Sequence, residues 1–211
     1  MITAIVLAGG RSRRFGANKL AAELEGASLL SRTIAAVEPI ADIVIVAGPG
    51  LPEGRQAGDI PTSLVPDREP FEGPLAALAN VLERGIPDSG TSLAIVVGGD
   101  MPQLVPAVLA TMLQRLAADQ ELGAVLLQAP GAHRRQVLPL AVREHAAVAA
   151  ARATIDAGDR SLMGFVERLR TLELPVLEWQ ALDPAGATLT DVDMPADLDR
   201  LRSGGGDREN R

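Results

Sequence analysis

Short aliphatic runs alternate along the chain with segments whose apolar side chains recur every three or four residues. Residues 3–8 (TAIVLA), 42–47 (DIVIVA) and 93–97 (LAIVV) are continuous and rich in Val and Ile, the pattern of strands buried on both faces. Over residues 28–38, Leu29, Leu30, Thr33, Ile34 and Val37 fall at helical spacing. Pro74 stands where a first helical position belongs, and Leu75, Leu78 and Leu82 then line one face. Residues 104–118 repeat the device with Leu104, Val108, Leu109, Leu113 and Leu116. Further strands are predicted at 123–128, 137–142 and 172–177, and further helices at 144–157, 162–170 and 195–202. Strands alternating with helices over the first two thirds predict an α/β protein whose mainly parallel central sheet is covered on both faces.

Between these elements, residues 48–63 hold four glycines and three prolines and read as a long surface loop. Residues 203–211 (SGGGDRENR) read as a frayed tail beyond a single domain spanning 1–202. No repeat of solenoid length occurs, but Asp-Met-Pro appears twice, at Asp100 and at Asp193, each time after an apolar or strand-like segment and before a predicted helix.

Composition narrows the class. The 211 residues are 47% hydrophobic, enough for a sizeable core, and contain no cysteine, which removes disulfides, thiolate metal sites and thiol nucleophiles. A formal net charge of −7 argues against a broad nucleic-acid surface, and four aromatic residues are too few for a base-stacking platform. The apolar run at 2–8 has no positive charge before it and is ended by glycines, so it reads as a first strand rather than a signal peptide. No stretch approaches the roughly 18 apolar residues of a membrane helix. The expectation is a soluble, cytoplasmic protein with neither nucleic acid nor membrane as partner.

Local charge runs against the average at one place. The first strand leads into Gly9-Gly10-Arg11-Ser12-Arg13-Arg14-Phe15-Gly16-Ala17-Asn18-Lys19, where four positive charges precede the first acidic residue, Glu23. In an open parallel sheet, ligands bind beyond the carboxyl ends of the strands. A glycine turn there lets backbone N–H groups approach an anion, and Arg and Lys supply countercharge. The spacing matches neither Gly-x-Gly-x-x-Gly nor the Walker A loop.

LAGGRSRRFGANK resembles the signature of the molybdenum cofactor guanylyltransferases (MobA-like), within the nucleotidyltransferase superfamily. Leu7, Ala8, Gly9, Gly10, Ser12, Arg14, Gly16 and Lys19 fit the pattern L-A-G-G-x-S-x-R-M-G-x-D-K, while Phe15 replaces its Met and Asn18 its Asp. The resemblance implies a three-layer α/β/α Rossmann-like nucleotidyltransferase fold and a loop that wraps a triphosphate, with Arg14 and Lys19 at the phosphates. The segment DREPFEGPLAAL resembles the second family motif, which assigns Asp67, Gly73 and Pro74 to the guanine nucleotide. Without the resemblance, Pro74 is an ordinary helix opener. Related cytidylyltransferases carry L-A-A-G in the first loop and lack G-P-L in the second, so Gly9 and Gly73-Pro74-Leu75 favour GTP over CTP. With few aromatics, recognition of the base is expected to rest on loop backbone.

Two carboxylate positions complete the reading. Asp100 follows the 93–97 strand and matches the family's C-D-x-P element with Gly99 in place of Cys. A carboxylate at a strand end, facing a triphosphate loop, holds Mg²⁺ or caps the helix that Pro102 is expected to open. Asp191 and Asp193 stand where the family's N-x-N-T-P element carries asparagines, and Asp193 is a second candidate metal ligand or, alternatively, a cap. His133-Arg134-Arg135 and Gly158-Asp159-Arg160-Ser161 resemble segments that border the pterin site, and read equally as loop charges with Asp159 or Ser161 as a cap. His133 and His145 are isolated and expected on the surface. The resemblance implies transfer of GMP from Mg·GTP to the terminal phosphate of a molybdopterin-type acceptor, with Mg²⁺ as cofactor and molybdenum-enzyme maturation partners downstream. The alternatives are a relative using CTP or a sugar 1-phosphate, and a non-catalytic GTP-binding module.

Overall fold

A computed structural model describes residues 1–9, 15, 18–48, 50, 60–66, 73–84, 92–131 and 135–204. Nine strands occur among them: β1 (Ile2–Leu7), β2 (Glu23–Leu24), β3 (Ala27–Ser28), β4 (Ile43–Ala47), β5 (Thr62–Val65), β6 (Leu93–Gly98), β7 (Ala124–Leu127), β8 (Leu140–Arg143) and β9 (Thr171–Leu174). The helices are α1 (Leu29–Val37), α2 (Pro74–Arg84), α3 (Pro106–Ala118), α4 (Glu144–Asp156), α5 (Leu162–Val166), α6 (Val176–Trp179) and α7 (Pro195–Gly204).

Seven strands form one sheet in the order β5-β4-β1-β6-β8-β7-β9. Strands β5, β4, β1 and β6 run parallel, as do β7 and β9, and β8 runs antiparallel to both its neighbours. Alternation along β1 shows why the sheet needs two helical layers. Ala4, Val6 and Ala8 join the core with Leu30 and Ile34 of α1 and Val108 and Met112 of α3. Ile5 and Leu7 point the other way, among Leu75 and Leu78 of α2, Ala147 and Ala151 of α4, and Phe165 of α5. A strand buried on both faces has no solvent-facing position, hence the aliphatic run from Ala4 to Leu7.

The chain builds outward from β1 to β4 and β5, then returns to place β6 on the other side of β1. The carboxyl ends of β1 and β6 therefore lie side by side where the strand order reverses, the topological switch point where open α/β sheets form a ligand crevice. Gly9 after β1 and Asp100 after β6 both lie there.

Several expected boundaries move. Residues 62–65 form edge strand β5, although its pattern is partly exposed and polar and reads as loop. The helix expected from residue 104 opens at Pro106, with Val105 as N-cap, so Pro102 lies in a turn. The strand expected from 137 starts after Pro139, which has no N–H to give a ladder. Strand β9 ends before Pro175, and the short helix α6 occupies 176–179. The helix expected over 162–170 stops at Val166, whose carbonyl lies 3.4 Å from the Thr171 hydroxyl, and that hydroxyl also reaches the carbonyl of Leu169 at 3.0 Å. The hairpin of β2 and β3 turns through Glu25 (φ 49°) and Gly26 (φ 78°), the left-handed pair of a tight two-residue hairpin. Residues 203 and 204 extend α7, and the rest of the expected tail lies outside the described residues.

Candidate active site

Strand β1 ends locked between its neighbours. The Ala8 N–H donates to Ala47 O at 2.7 Å, and the Gly99 N–H donates to Leu7 O at 2.9 Å. Leu7 and Ala8 are buried, and Gly9 is exposed where the chain leaves the sheet. Of the loop signature, Gly10, Ser12, Arg14 and Gly16 lie outside the described residues, as does Asp67 of the second motif. Phe15 packs partly buried against the cluster of Leu24, Leu29, Val192 and Leu198, so the apolar side chain at the Met position joins a small satellite core.

Lys19 opens a short 3-10 turn (Lys19–Ala21). Its ammonium donates to Asp100 Oδ2 at 2.6 Å and to Asp193 Oδ1 at 3.0 Å. Three residues separated by most of the chain thus meet at one point, the Lys19 side chain only 14% exposed and that of Asp193 59%. Burial would lower the ammonium's pKa, but the hydrogen bonds and charges of Asp100 and Asp193 outweigh it and hold Lys19 above its ordinary value. Asp191 lies nearby with solvent contact, yet the protein around it, then the charges of Asp193 and Asp100, raise its carboxyl above the ordinary value.

The turn carrying Asp100 is built by its neighbours. The buried Thr33 hydroxyl of α1 donates to Gly99 O at 3.1 Å, and the Gly98 N–H donates to Met101 Sδ at 3.4 Å. A Cβ on Gly98 would stand 2.5 Å from Asp100 Oδ1, so only glycine leaves the carboxylate its place. Since Val105 caps α3, Asp100 is no helix cap. Asp193 is not one either. At the start of α7, the carboxylate of Asp197 accepts from the N–H groups of Asp193 (2.9 Å) and Met194 (2.7 Å), and these bonds hold Asp197 below its ordinary pKa. The two Asp-Met-Pro echoes therefore differ: a helix starts at the second proline and not at the first.

The terminal element reaches the site through a hooked segment. Asp183, buried, accepts from the N–H groups of Ala187 (3.1 Å) and Thr188 (2.7 Å). The Thr188 hydroxyl accepts from the Val105 N–H at 3.2 Å, tying this segment to the start of α3. The Val192 N–H then donates to Asp100 O at 3.0 Å, with its side chain fully buried between Asp191 and Asp193.

Elsewhere, Gly73 takes φ 97° ahead of Pro74 at the start of α2, with Arg160 O 3.7 Å from where its Cβ would be. The second motif and the 158–161 turn are therefore neighbours. Within that turn, Asp159 accepts from the Ser161 N–H, a bond that lowers its pKa, and the Ser161 hydroxyl caps α5 by accepting from Gly164. Arg135 pairs with Glu173, His145 is exposed, and His133 and Arg134 lie outside the described residues. Sequence reading passes over Thr33, Gly98 and Asn80. The buried Asn80 donates to Pro66 O at 2.9 Å and so fixes the chain just before Asp67. Its signal is a lone amide among the apolar positions of α2.

Among the described residues, no group of three or more His, Cys, Asp or Glu stands ready to hold a metal, and no helix is long and apolar enough to cross a membrane. Asp100 and Asp193 nevertheless direct one oxygen each at a single cationic nitrogen. Two carboxylate oxygens are a suitable protein share for Mg²⁺, which takes its remaining ligands from water and substrate phosphates.

Comparison with known proteins identifies the family. The family model of the MobA-like NTP transferase domain matches residues 4–172. A protein of Chloroflexus aggregans named "Probable molybdenum cofactor guanylyltransferase" is 35% identical over 202 residues, covering 94% of this chain and 92% of its own. The "Molybdenum cofactor guanylyltransferase" of Mesorhizobium japonicum is 29% identical, covering 93% and 92%. Among solved structures, the molybdopterin-guanine dinucleotide biosynthesis protein A of Archaeoglobus fulgidus superposes with a TM-score of 0.74 at 20% identity, over 97% of this chain and 99% of that one. A 4-diphosphocytidyl-2C-methyl-D-erythritol synthase of Anaerococcus prevotii gives 0.70 at 14% identity, over 97% and 98%, and so shares the fold. From its loop, its switch-point crevice and these matches, the chain belongs to the MobA-like NTP transferase family and is a nucleotidyltransferase.

Proposed function

We propose that the protein transfers GMP from Mg·GTP to the terminal phosphate of metal-loaded molybdopterin, forming the guanine dinucleotide cofactor. The observation that carries this reading is the meeting of Lys19, Asp100 and Asp193 beyond the carboxyl ends of β1 and β6. In this reaction an oxygen of the acceptor phosphate attacks the α-phosphorus of GTP. The bond from that phosphorus to the bridging oxygen breaks, and pyrophosphate leaves with the electron pair. The attacking oxygen is already anionic near neutral pH, so no general base is needed. What remains is to align two polyanions and offset their charge.

Each residue has a place in that scheme. Lys19 and Arg14 meet the triphosphate, Gly9, Gly10 and Ser12 offer the loop around it, and Asp67, Gly73 and Pro74 border the nucleoside. Asp100 and Asp193 would hold Mg²⁺, which lowers the repulsion between phosphates when it arrives with the nucleotide. Relatives named as guanylyltransferases support the base, while the shared fold of a cytidylyl enzyme makes base choice a property of loops instead of architecture.

Pyrophosphate release is the test, measured with GTP or CTP against molybdopterin and a sugar 1-phosphate. Release with GTP and molybdopterin is expected, reduced on the order of 10²–10³-fold in Lys19→Ala and Asp100→Asn without loss of folding. Release with CTP or a sugar 1-phosphate would transfer the reading to that substrate. Saturable GTP binding with no release under any acceptor would mark a binding module instead.

A further inference from the structure

The position between Asp100 Oδ2 and Asp193 Oδ1 is already filled by a cation of the protein's own. We infer that the Lys19 ammonium is an internal placeholder for the divalent ion, so that free metal is excluded from the two carboxylates until a polyphosphate draws Lys19 away. The inference rests on the proposed metal-dependent nucleotide chemistry of the same site and assigns it an order of binding.

Geometry and charge carry the argument. A nitrogen at 2.6 Å and 3.0 Å from two carboxylate oxygens occupies the point on which those oxygens converge, so an incoming ion and the ammonium compete for one place. The lysine is held there: its side chain is 14% exposed and its residue lies within the 3-10 turn that leaves the glycine loop. The main chain at Asp100 is held by the Thr33 and Val192 bonds, and that at Asp193 by the Asp197 bond, so both carboxylates project toward Lys19 from anchored backbone. Lysine suits the exchange because a single ammonium on a flexible stem can turn from carboxylate to phosphate, where a forked guanidinium would not move as freely.

The charge arithmetic then favours joint entry. Once Lys19 turns to a triphosphate, the carboxylates of Asp100, Asp191 and Asp193 are left near that polyanion with no cation between them among the described residues, a repulsive arrangement unless a divalent ion arrives with the phosphates. Metal and nucleotide therefore bind with positive coupling, and bare metal binds weakly.

The test reads bare-metal binding, with no nucleotide and no turnover. Mn²⁺ is titrated into wild-type protein, Lys19→Met and Lys19→Gln by electron paramagnetic resonance of the free ion, with circular dichroism to confirm folding. Removing the placeholder is expected to tighten Mn²⁺ binding by about tenfold or more in each uncharged variant. Lys19→Arg keeps the charge and is expected to behave close to wild type. Arg115→Met loses the same charge at the exposed pair with Glu178 and should leave Mn²⁺ affinity unchanged. Equal affinity in wild type and both uncharged variants would overturn the inference, and so would an equal gain in Arg115→Met. Because no arm contains GTP or acceptor, failure here leaves the proposed guanylyl transfer standing, and failure of guanylyl transfer leaves this result readable.

Discussion

Asp100 owes its position to atoms that are not its own. The Thr33 hydroxyl holds the Gly99 carbonyl, Leu7 O holds the Gly99 N–H, and Val192 binds the Asp100 carbonyl, so the backbone around the carboxylate is tied to α1, β1 and the terminal element. Gly98 supplies only empty space, and its backbone is not in the left-handed region, so alanine is excluded by the carboxylate and not by the chain. Gly98→Ala is accordingly expected to fold but to push Oδ1 aside, taking Asp100 off Lys19. Steady-state pyrophosphate release should fall on the order of 10²-fold, as small misplacements at a reacting centre do, while the midpoint of denaturant unfolding changes little. Wild-type turnover in this variant would show that the carboxylate's placement is unimportant. Lys19 and Asp100, which the structure brings together, stand out in the sequence as the end of a glycine–basic segment and a strand-end aspartate. Thr33 and Gly98 do not, since a threonine in a helix and a second glycine beside Gly99 carry no pattern that reveals what they touch.

Elements were legible to the degree that burial wrote them into a hydrophobic period. Strands β1, β4 and β6 lie within one residue of their expected limits because both faces are covered. Edge strand β5 escapes notice because Ser63 and Leu64 are exposed, leaving little to alternate. Proline sets two of the displaced boundaries, at β8 and after β9, through its missing N–H and fixed φ. The antiparallel β8 carries a less visible burden. Its Arg143 is buried and donates to Leu116 O (2.7 Å), Asp119 O (3.1 Å) and Leu122 O (3.1 Å), where α3 ends and the chain returns to β7. The helix's last carbonyls have no partner within the helix, so this guanidinium is their cap. Arg143→Met keeps the bulk and removes the donors. It is expected to cost about 2–4 kcal/mol in urea unfolding, with nucleotidyl transfer per folded molecule retained. A loss under about 0.5 kcal/mol would mean that water replaces the guanidinium at these carbonyls.

At the scale of the molecule, the crevice is set by the first half of the chain and completed by its end. The parallel order β4-β1-β6 creates the switch point and puts the end of β1 and Asp100 beside each other. The antiparallel step through β8 then carries the chain away across β7 and β9, and the segment hooked by Asp183 and Thr188 brings it back. A sequence reader can see that Asp193 resembles a family element, but its meeting with Lys19 depends on this return, which leaves no local period to read. Its keystone is Val192, buried with Leu24, Leu29 and Leu198 and packed against by Phe15, so one satellite core joins Phe15 to the segment that carries the terminal carboxylates. Val192→Ala opens a cavity there and is expected to cost about 1–3 kcal/mol of stability. Val125→Ala, on β7 and equally buried, should cost a similar amount. The two differ in consequence. With Val192 truncated, Phe15 and the Asp191–Asp193 turn lose their common support, and Mg·GTP affinity by calorimetry should fall about tenfold; with Val125 truncated it should not. Equal affinities in the two variants would show that the terminal element stays in place without its buried anchor.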